Sequence, residues 1–236
     1  MFPLVQAEVP GFDLLRALRN GLIPAHYLGR DPRKSLKAYV FDYLEEEIRA
    51  EGLTRNLPAF SRFLDALAFS GGELTNIARD CAVDAKTVKE SYQILVDAMV
   101  GHLIAPYSKR AGRDIITSTP KFYWFDVGMA NALSGESVQG LRGPHAGKLF
   151  ENYILMEIVA YRGYAEKDFE VKASERVDSG DWRGLKAFLS EHAVRRAVVV
   201  CNEPRARRIE WGDRTRIDIL PWKTFLEQLW GGTVAG

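Results

Sequence analysis

The sequence has little net charge, few cysteines and no long hydrophobic run. Its 32 basic and 31 acidic residues leave a formal charge of +1, so no overall field draws the chain to DNA or anionic lipid. The apolar runs, such as residues 197–201, are far too short to span a bilayer. The first residues lack the basic start and apolar stretch of a secretory signal. These absences predict a cytoplasmic protein with no membrane partner, in which any nucleic-acid contact depends on a local patch.

The sequence also offers few metal or nucleotide ligands. Cys81 and Cys201 lie far apart in apolar patterns, and we expect both to be reduced, buried thiols. The four histidines lack the short spacings of zinc ligands. The segment 143–148, Gly-Pro-His-Ala-Gly-Lys, is one residue too short for a phosphate-binding loop, and Leu149 replaces the required Ser or Thr. The chain is therefore expected to need no cofactor of its own.

The first half of the chain is predicted to be mostly helical. Residues 2–5 are typical of a strand or extended arm, and residues 12–20 of a short helix. Asp31 followed by Pro32 predicts a helix start, and apolar residues from 36 to 48 recur at three- and four-residue spacing. Another helix is predicted from residue 56 to the glycines at 71 and 72.

The next stretch predicts a helix-turn-helix followed by a wing. A short helix over 73–81 and a tight turn precede a longer helix capped by Asp84, with strands expected at 102–107 and 121–126 and a helix over 127–133. Basic side chains on the second helix and in the loop between the strands are the candidate nucleic-acid-binding residues: Lys86, Lys89, Lys109, Arg110 and Arg113. Because acidic residues balance the lysines of the helix, a structural or protein-binding role is the alternative.

The remainder predicts a small α/β module. After a glycine-rich loop to residue 147, helices are expected over 149–161, 181–192 and 222–230, and strands at 169–173, 195–201, 209–211 and 216–220. Glu170 and Lys172 share one strand face, where a carboxylate can hold Mg²⁺ beside an ammonium group. Glu151 on the first helix and Asp168 complete the candidate catalytic set, with Asp168 and Glu170 as candidate metal ligands. The alternative is an ordinary charged strand face.

Five segments in this order resemble the C-terminal region of prokaryotic ATP-binding proteins that carry an N-terminal AAA-type ATPase domain and a C-terminal domain of unknown function. The segments are Gly-Leu-Ile-Pro-Ala-His-Tyr-Leu at 21–28, Lys-Ala-Tyr-Val-Phe-Asp-Tyr-Leu at 37–44, Pro-Lys-Phe-Tyr-Trp-Phe-Asp-Val-Gly at 120–128, Gly-Lys-Leu-Phe-Glu-Asn at 147–152 and Glu-Val-Lys-Ala-Ser at 170–174. The resemblance implies an α+β chain with three parts. These are a residual ATPase segment and linker (1–30), a helical winged-helix domain (31–135) and a truncated PD-(D/E)xK-like, restriction-endonuclease-like domain (147–231).

Two departures from that family shape the functional expectation. The ATPase domain is absent, so ATP chemistry requires an ATPase domain in trans. The aspartate-bearing hairpin before Glu170 does not fit into residues 165–169, because two strands of ~5 residues and a turn are needed. We therefore expect a non-catalytic interaction or regulatory module that binds nucleic acid through the wing, or binds protein in the assembly of the ATPase partner. A Mg²⁺-dependent nuclease and a remnant without independent function are the alternatives.

Overall fold

The described residues form helices and two small sheets, as the predicted α+β class requires. The computed structural model describes residues 2–40, 46, 57–70, 77, 84–105, 120–136, 138–165, 185, 188–190, 194–212 and 215–234. The chain divides into two compact units, Met1–Tyr153 and Ile154–Gly236. Within the described part of the chain, no helix has the length and apolar character needed to cross a membrane.

In the first unit, a 3-10 turn (Gln6–Glu8) precedes three short helices, α1 (Leu14–Asn20), α2 (Pro24–Tyr27) and α3 (Pro32–Ala38). The Asp31 carboxylate accepts a hydrogen bond from the Lys34 backbone and Pro32 occupies the first turn, which confirms the predicted helix start. Residues 2–5 form no strand; the Leu4 N–H donates a single bond to the Leu22 carbonyl, so the predicted strand is wrong and the extended arm is correct.

Two longer helices and a hairpin follow in the first unit. Helix α4 spans Leu57–Ser70 and α5 spans Ala85–Asp97; the hairpin consists of β1 (Gly101–Ile104) antiparallel to β2 (Lys121–Trp124). The Asp84 carboxylate accepts bonds from the N–H groups of Lys86 and Thr87, as its predicted capping role requires. Ile77 is helical and buried, whereas the rest of the predicted helix at 73–81 and the loop at 108–113 lie outside the described residues.

Aromatic rings join these elements into one core. Phe63 of α4 meets Tyr92 of α5 with ring centroids 4.9 Å apart, and Tyr92 meets Phe122 of β2 at 5.6 Å. Phe122 in turn contacts Trp124 edge to face at 5.2 Å. All four side chains are buried. This core fixes the hairpin against the two helices that precede it.

Two more helices carry the chain toward the second unit. Helix α6 spans Val127–Ser134, one residue longer than predicted, and α7 spans Pro144–Ala165. Helix α7 begins five residues before the predicted position, so the expected glycine-rich loop ends at Gly143. Proline is favoured in a first helical turn because its φ is preset and its missing N–H is not needed there. Gly147 donates its N–H to the Gly143 carbonyl, which closes that turn.

The second unit contains a three-stranded sheet in the order β3–β5–β4. Strand β3 (Arg196–Cys201) runs parallel to β5 (Thr215–Pro221), and β4 (Arg207–Trp211) runs antiparallel to β5. These bounds differ from the predicted strands by one or two residues, and the final helix α8 (Trp222–Trp230) matches its prediction. The buried Cys201 is a free thiol, as expected; Cys81 lies outside the described residues.

One face of this sheet forms a small apolar core. Val199, Cys201, Ile217 and Ile219 are buried there with Leu189. Leu189 belongs to the helical residues 188–190, within the predicted helix at 181–192. The predicted strand at 169–173 lies outside the described residues.

Candidate functional site

Three segments of the first unit, 21–28, 120–128 and 147–152, are joined by hydrogen bonds of polar side chains. Asp126, which follows β2, joins two of them and is almost fully buried. Its carboxylate accepts bonds from the backbone N–H groups of Leu22 and Ile23, at 2.5 and 3.1 Å, and of Gly128, at 2.8 Å. The carboxylate thereby joins the segment after α1 to the start of α6.

Two glycines make this junction possible. A Cβ on Gly21 would lie 1.8 Å from Asp126 Oδ1, and one on Gly128 would lie 2.5 Å from the Gly21 nitrogen. Gly21 also has φ +73°, a left-handed conformation that favours glycine. Burial raises the pKa of Asp126 to about 6, although the hydrogen bonds from Leu22, Gly128 and Ile23 oppose this shift. The junction has the character of a structural contact, because Asp126 is enclosed by backbone donors.

A second polar contact joins β2 to α7. The Asn152 side chain accepts a bond from the Trp124 N–H at 2.8 Å and donates to the Trp124 carbonyl at 2.9 Å. The neighbouring Glu151 carboxylate receives Lys121 Nζ at 2.8 and 2.9 Å and the Tyr123 hydroxyl at 2.6 Å. Glu151 is buried, and the ammonium group of Lys121 balances its negative charge. Both side chains that donate to its carboxylate belong to β2.

The contacts of Glu151 differ from those expected for a member of the predicted catalytic set. Glu151 was predicted to work with Asp168, Glu170 and Lys172, but those three residues lie outside the described part of the chain. The residues that the structure brings to Glu151 are Lys121 and Tyr123. Among the described residues, no cluster of three or more His, Cys, Asp or Glu side chains is arranged to hold a metal ion.

The predicted nucleic-acid-binding residues on α5 are available at the surface. Lys86 and Lys89 are exposed near the start of the helix, and Lys86 Nζ lies 3.8 Å from a Glu90 carboxylate oxygen. Further along the helix, Gln93 donates to Asp97 at 2.7 Å. The positive side chains therefore concentrate at the N-terminal end of α5. Lys109, Arg110 and Arg113 lie outside the described residues.

Sequence reasoning missed a basic surface on and before α3. Four exposed cationic side chains lie within eight residues: Arg30, Arg33, Lys34 and Lys37. None of them has an ion-pair partner among the described residues. Asp31, the acidic residue among them, uses its carboxylate to cap α3. The sequence signal for this surface was the presence of four basic residues within one segment of eight. Such clusters matter because binding to nucleic acid by release of counterions needs several cations close together.

A cavity of about 480 Å³ lies at the start of α7. Its charged lining residues carry both signs and include Glu136, Arg142, His145 and Lys148. His145 is engaged, with Nε2 3.1 Å from Asn131 Oδ1 and Nδ1 3.5 Å from Glu136. Burial is the largest cause that lowers the pKa of His145; the Lys148 charge lowers it further, and Glu136 opposes both. The segment that resembled a phosphate loop is thus a helix start beside a mixed-charge cavity.

The second unit contains a cluster of arginines around one buried carboxylate. Asp218 of β5 is 4% exposed. Its Oδ1 accepts a bond from Arg208 Nε at 2.8 Å, and its Oδ2 accepts one from Arg196 Nε at 2.8 Å, while Arg216 Nε lies 3.7 Å from Oδ2. Burial alone raises the pKa of Asp218, but the bonds and charges of Arg208 and Arg196 outweigh it and hold that pKa below its ordinary value.

The first unit also carries the relationship to known proteins. A family model described as "Domain of unknown function (DUF8612)" matches residues 12–140, which is more than half of the chain. No curated protein matches the sequence, and no solved structure matches it. The matched region includes the Gly21–Asp126–Gly128 junction and both strands of the hairpin. The chain therefore belongs to the DUF8612 family.

Proposed function

We propose that this protein is a non-catalytic nucleic-acid-binding module of winged-helix type. The observation that carries the proposal is the order α4, α5 and an antiparallel hairpin, with Lys86 and Lys89 exposed at the start of α5. In a winged helix, the second helix of the helix-turn-helix contacts DNA with its N-terminal residues. The strands of the hairpin are joined by the segment that carries Lys109, Arg110 and Arg113.

The charge distribution supports contact with phosphates more than with bases. Lys86 and Lys89 lie near the positive end of the α5 dipole, and no carboxylate among the described residues pairs with Lys89. The exposed cations on and before α3, which have no ion-pair partner among the described residues, add a second basic surface in the same unit. Lysine and arginine contacts to phosphates give affinity and salt dependence without reading sequence. The proposed activity is therefore salt-sensitive binding with little sequence preference.

A nuclease is less well supported than a binding module. Glu151 is committed to Lys121 and Tyr123, and the sequence leaves no room for the acidic hairpin before Glu170.

We also propose that the chain is related to the C-terminal region of the AAA-type ATP-binding proteins, with ATP chemistry supplied in trans. The supporting observation is that three of the five resembling segments contact one another through Asp126, Glu151 and Asn152. Since the segment 143–148 is one residue too short for a phosphate-binding loop and Leu149 follows its lysine, we expect the purified chain alone to bind no ATP by calorimetry.

Binding is tested by fluorescence anisotropy with a labelled duplex of mixed sequence over a series of salt concentrations. We expect Lys86→Gln and Lys89→Gln each to weaken binding, because each change removes one contact with a phosphate. Each should also reduce the slope of log K against log salt by ~0.9. Changing Lys109, Arg110 and Arg113 together to Ala should abolish binding. Lys223→Gln, an equal change at an exposed lysine of α8, is the matched control and should leave affinity unchanged.

Two results would contradict the proposal. One is the absence of binding at low salt, and the other is equal weakening by Lys86→Gln and Lys223→Gln, which would indicate only general charge attraction. Plasmid incubation with Mg²⁺ or Mn²⁺ tests the nuclease alternative on the same preparations. Metal-dependent cleavage that is lost in Lys172→Ala would show that the module is catalytic.

A further inference from the structure

The arginine cluster of the second unit lies on the sheet face opposite the apolar core. Side chains alternate between faces along a strand, so Arg216 and Asp218 lie on one face of β5 while Ile217 and Ile219 lie on the other. Arg208 of β4 pairs directly with Asp218, and Arg196 of β3 pairs with Arg216. Directly paired residues share a face, so three strands place three arginines around one carboxylate.

The three guanidinium groups differ in how many hydrogen bonds they form. Arg196 is largely buried and donates to Asp218, Gln228 and the carbonyls of Thr233 and Val234. Arg208 is 60% exposed, and its hydrogen bond to another described residue is the one from Nε to Asp218. Arg216 is 42% exposed; its Nε lies 3.7 Å from Asp218 and forms no hydrogen bond within the described part of the chain. Arg208 and Arg216 therefore retain terminal Nη groups with no partner there.

The buried carboxylate holds these two exposed arginines in place. Because Asp218 binds Arg208 through Nε, the Nη groups at the far end of that guanidinium are left for another acceptor. Adjacent strands are about 4.8 Å apart, which is within the reach of two guanidinium groups on one tetrahedral anion. Three cations around one carboxylate leave an excess of positive charge, and the neighbouring Glu210 offsets part of it. A planar guanidinium with free donors matches phosphate oxygens in geometry.

We propose that Arg208 and Arg216, positioned by Asp218, form a binding site for a phosphate group. Arg196 has a positioning role, since its bonds to Asp218, Gln228 and the chain after α8 are already made. The site uses only residues of the second unit and does not depend on the proposed function of the first. The phosphate can belong to a nucleic-acid backbone or to a small phosphate compound, and both offer the same oxygen acceptors.

The test measures binding of pyrophosphate by calorimetry and of a single-stranded oligonucleotide by anisotropy. The matched pair of variants is Arg208→Gln and Arg207→Gln, neighbouring residues of β4 with the same charge and similar exposure. Arg207 faces away from Asp218 and is paired with Glu203 at 2.7 Å. We expect Arg208→Gln to weaken binding of at least one probe by about tenfold or more, since a charge-assisted hydrogen bond contributes ~1.5–3 kcal/mol. Arg207→Gln should change it less than twofold.

Three further variants separate a built site from general charge attraction. Arg216→Gln should weaken binding in the same way as Arg208→Gln, and it leaves both short bonds to Asp218 in place. Arg208→Lys keeps the positive charge but loses the planar set of N–H donors of the guanidinium. It should therefore also bind the phosphate probe less tightly. Glu210→Gln should strengthen binding because it removes a nearby negative charge. Thermal unfolding of each variant confirms that it is folded.

The probe that responds identifies the source of the phosphate. Loss of pyrophosphate binding in Arg208→Gln supports a small phosphate compound, and loss confined to the oligonucleotide supports a nucleic-acid backbone. The proposal is overturned if neither probe binds the unchanged chain. It is also overturned if Arg207→Gln and Arg208→Gln have equal effects. These results are independent of Lys86→Gln and Lys89→Gln, which test the first unit.

Discussion

Replacing Glu151 with glutamine separates a structural role for this residue from a catalytic one. The carboxylate is buried, with its side chain 9% exposed, and it receives two short contacts from Lys121 and one from Tyr123. If these contacts are its role, Glu151→Gln should destabilise the first unit. If Glu151 is instead a ligand held for an absent cation, removing its charge should leave stability unchanged or raise it.

The contacts of Glu151 set the size of the expected loss in the free energy of unfolding. Removing one partner of a buried ion pair costs ~3–5 kcal/mol. Glutamine retains one oxygen that can still accept from Tyr123, and Lys121 is 31% exposed, so water can partly solvate its ammonium group. We therefore expect Glu151→Gln to reduce the free energy of unfolding by about 2–3 kcal/mol. Lys121→Met should cost more, because it leaves the less exposed carboxylate without its cation.

The assay is urea unfolding of the unchanged chain, the two single variants and the double variant. With a slope of ~1–3 kcal/mol/M, the loss in Glu151→Gln corresponds to a midpoint shift on the order of 1 M. The double variant should be more stable than the sum of the single changes predicts, because the two groups interact directly. A midpoint that stays within error in Glu151→Gln would refute the structural role. Stabilisation by Mn²⁺ that depends on Glu151 would refute it as well.

Three other stability effects follow from the geometry. Met99 is 79% exposed with φ +55° just after α5, so Met99→Gly should raise the free energy of unfolding by ~0.5–1 kcal/mol in urea unfolding. Gly21→Ala should lower thermal stability far more than Gly135→Ala; both have positive φ, but only the Gly21 Cβ would overlap Asp126. The pKa of Asp126 is raised from 3.8 to about 6, so its contribution to stability is complete below pH 4 and is lost as pH rises through 6. That loss is at most ~3 kcal/mol, and urea unfolding between pH 4 and 7 should show it in the unchanged chain and not in Asp126→Asn.

Local signals in the sequence were sufficient to predict several elements. Asp31 with Pro32 and Asp84 mark helix starts because their side chains satisfy backbone N–H groups a few residues away, a preference that needs no tertiary contact. The final helix, Trp222–Trp230, follows from the spacing of its apolar residues. The start of α7 was misplaced because glycines normally indicate a loop, whereas Pro144 begins the helix and Gly147 is accommodated within it.

The candidate sites depended on contacts that the sequence does not reveal. Glu151 was recognised as a chemically important residue, but its partners Lys121 and Tyr123 lie about 30 residues earlier, and only the packing of β2 on α7 selects them. Asp218 was not singled out at all. The sequence by itself determined where α3, α5 and α8 begin, because capping groups and apolar spacing act over a few residues. Strand pairing in the tertiary structure decided which charges meet, because β3, β4 and β5 bring three separated arginines to one buried carboxylate.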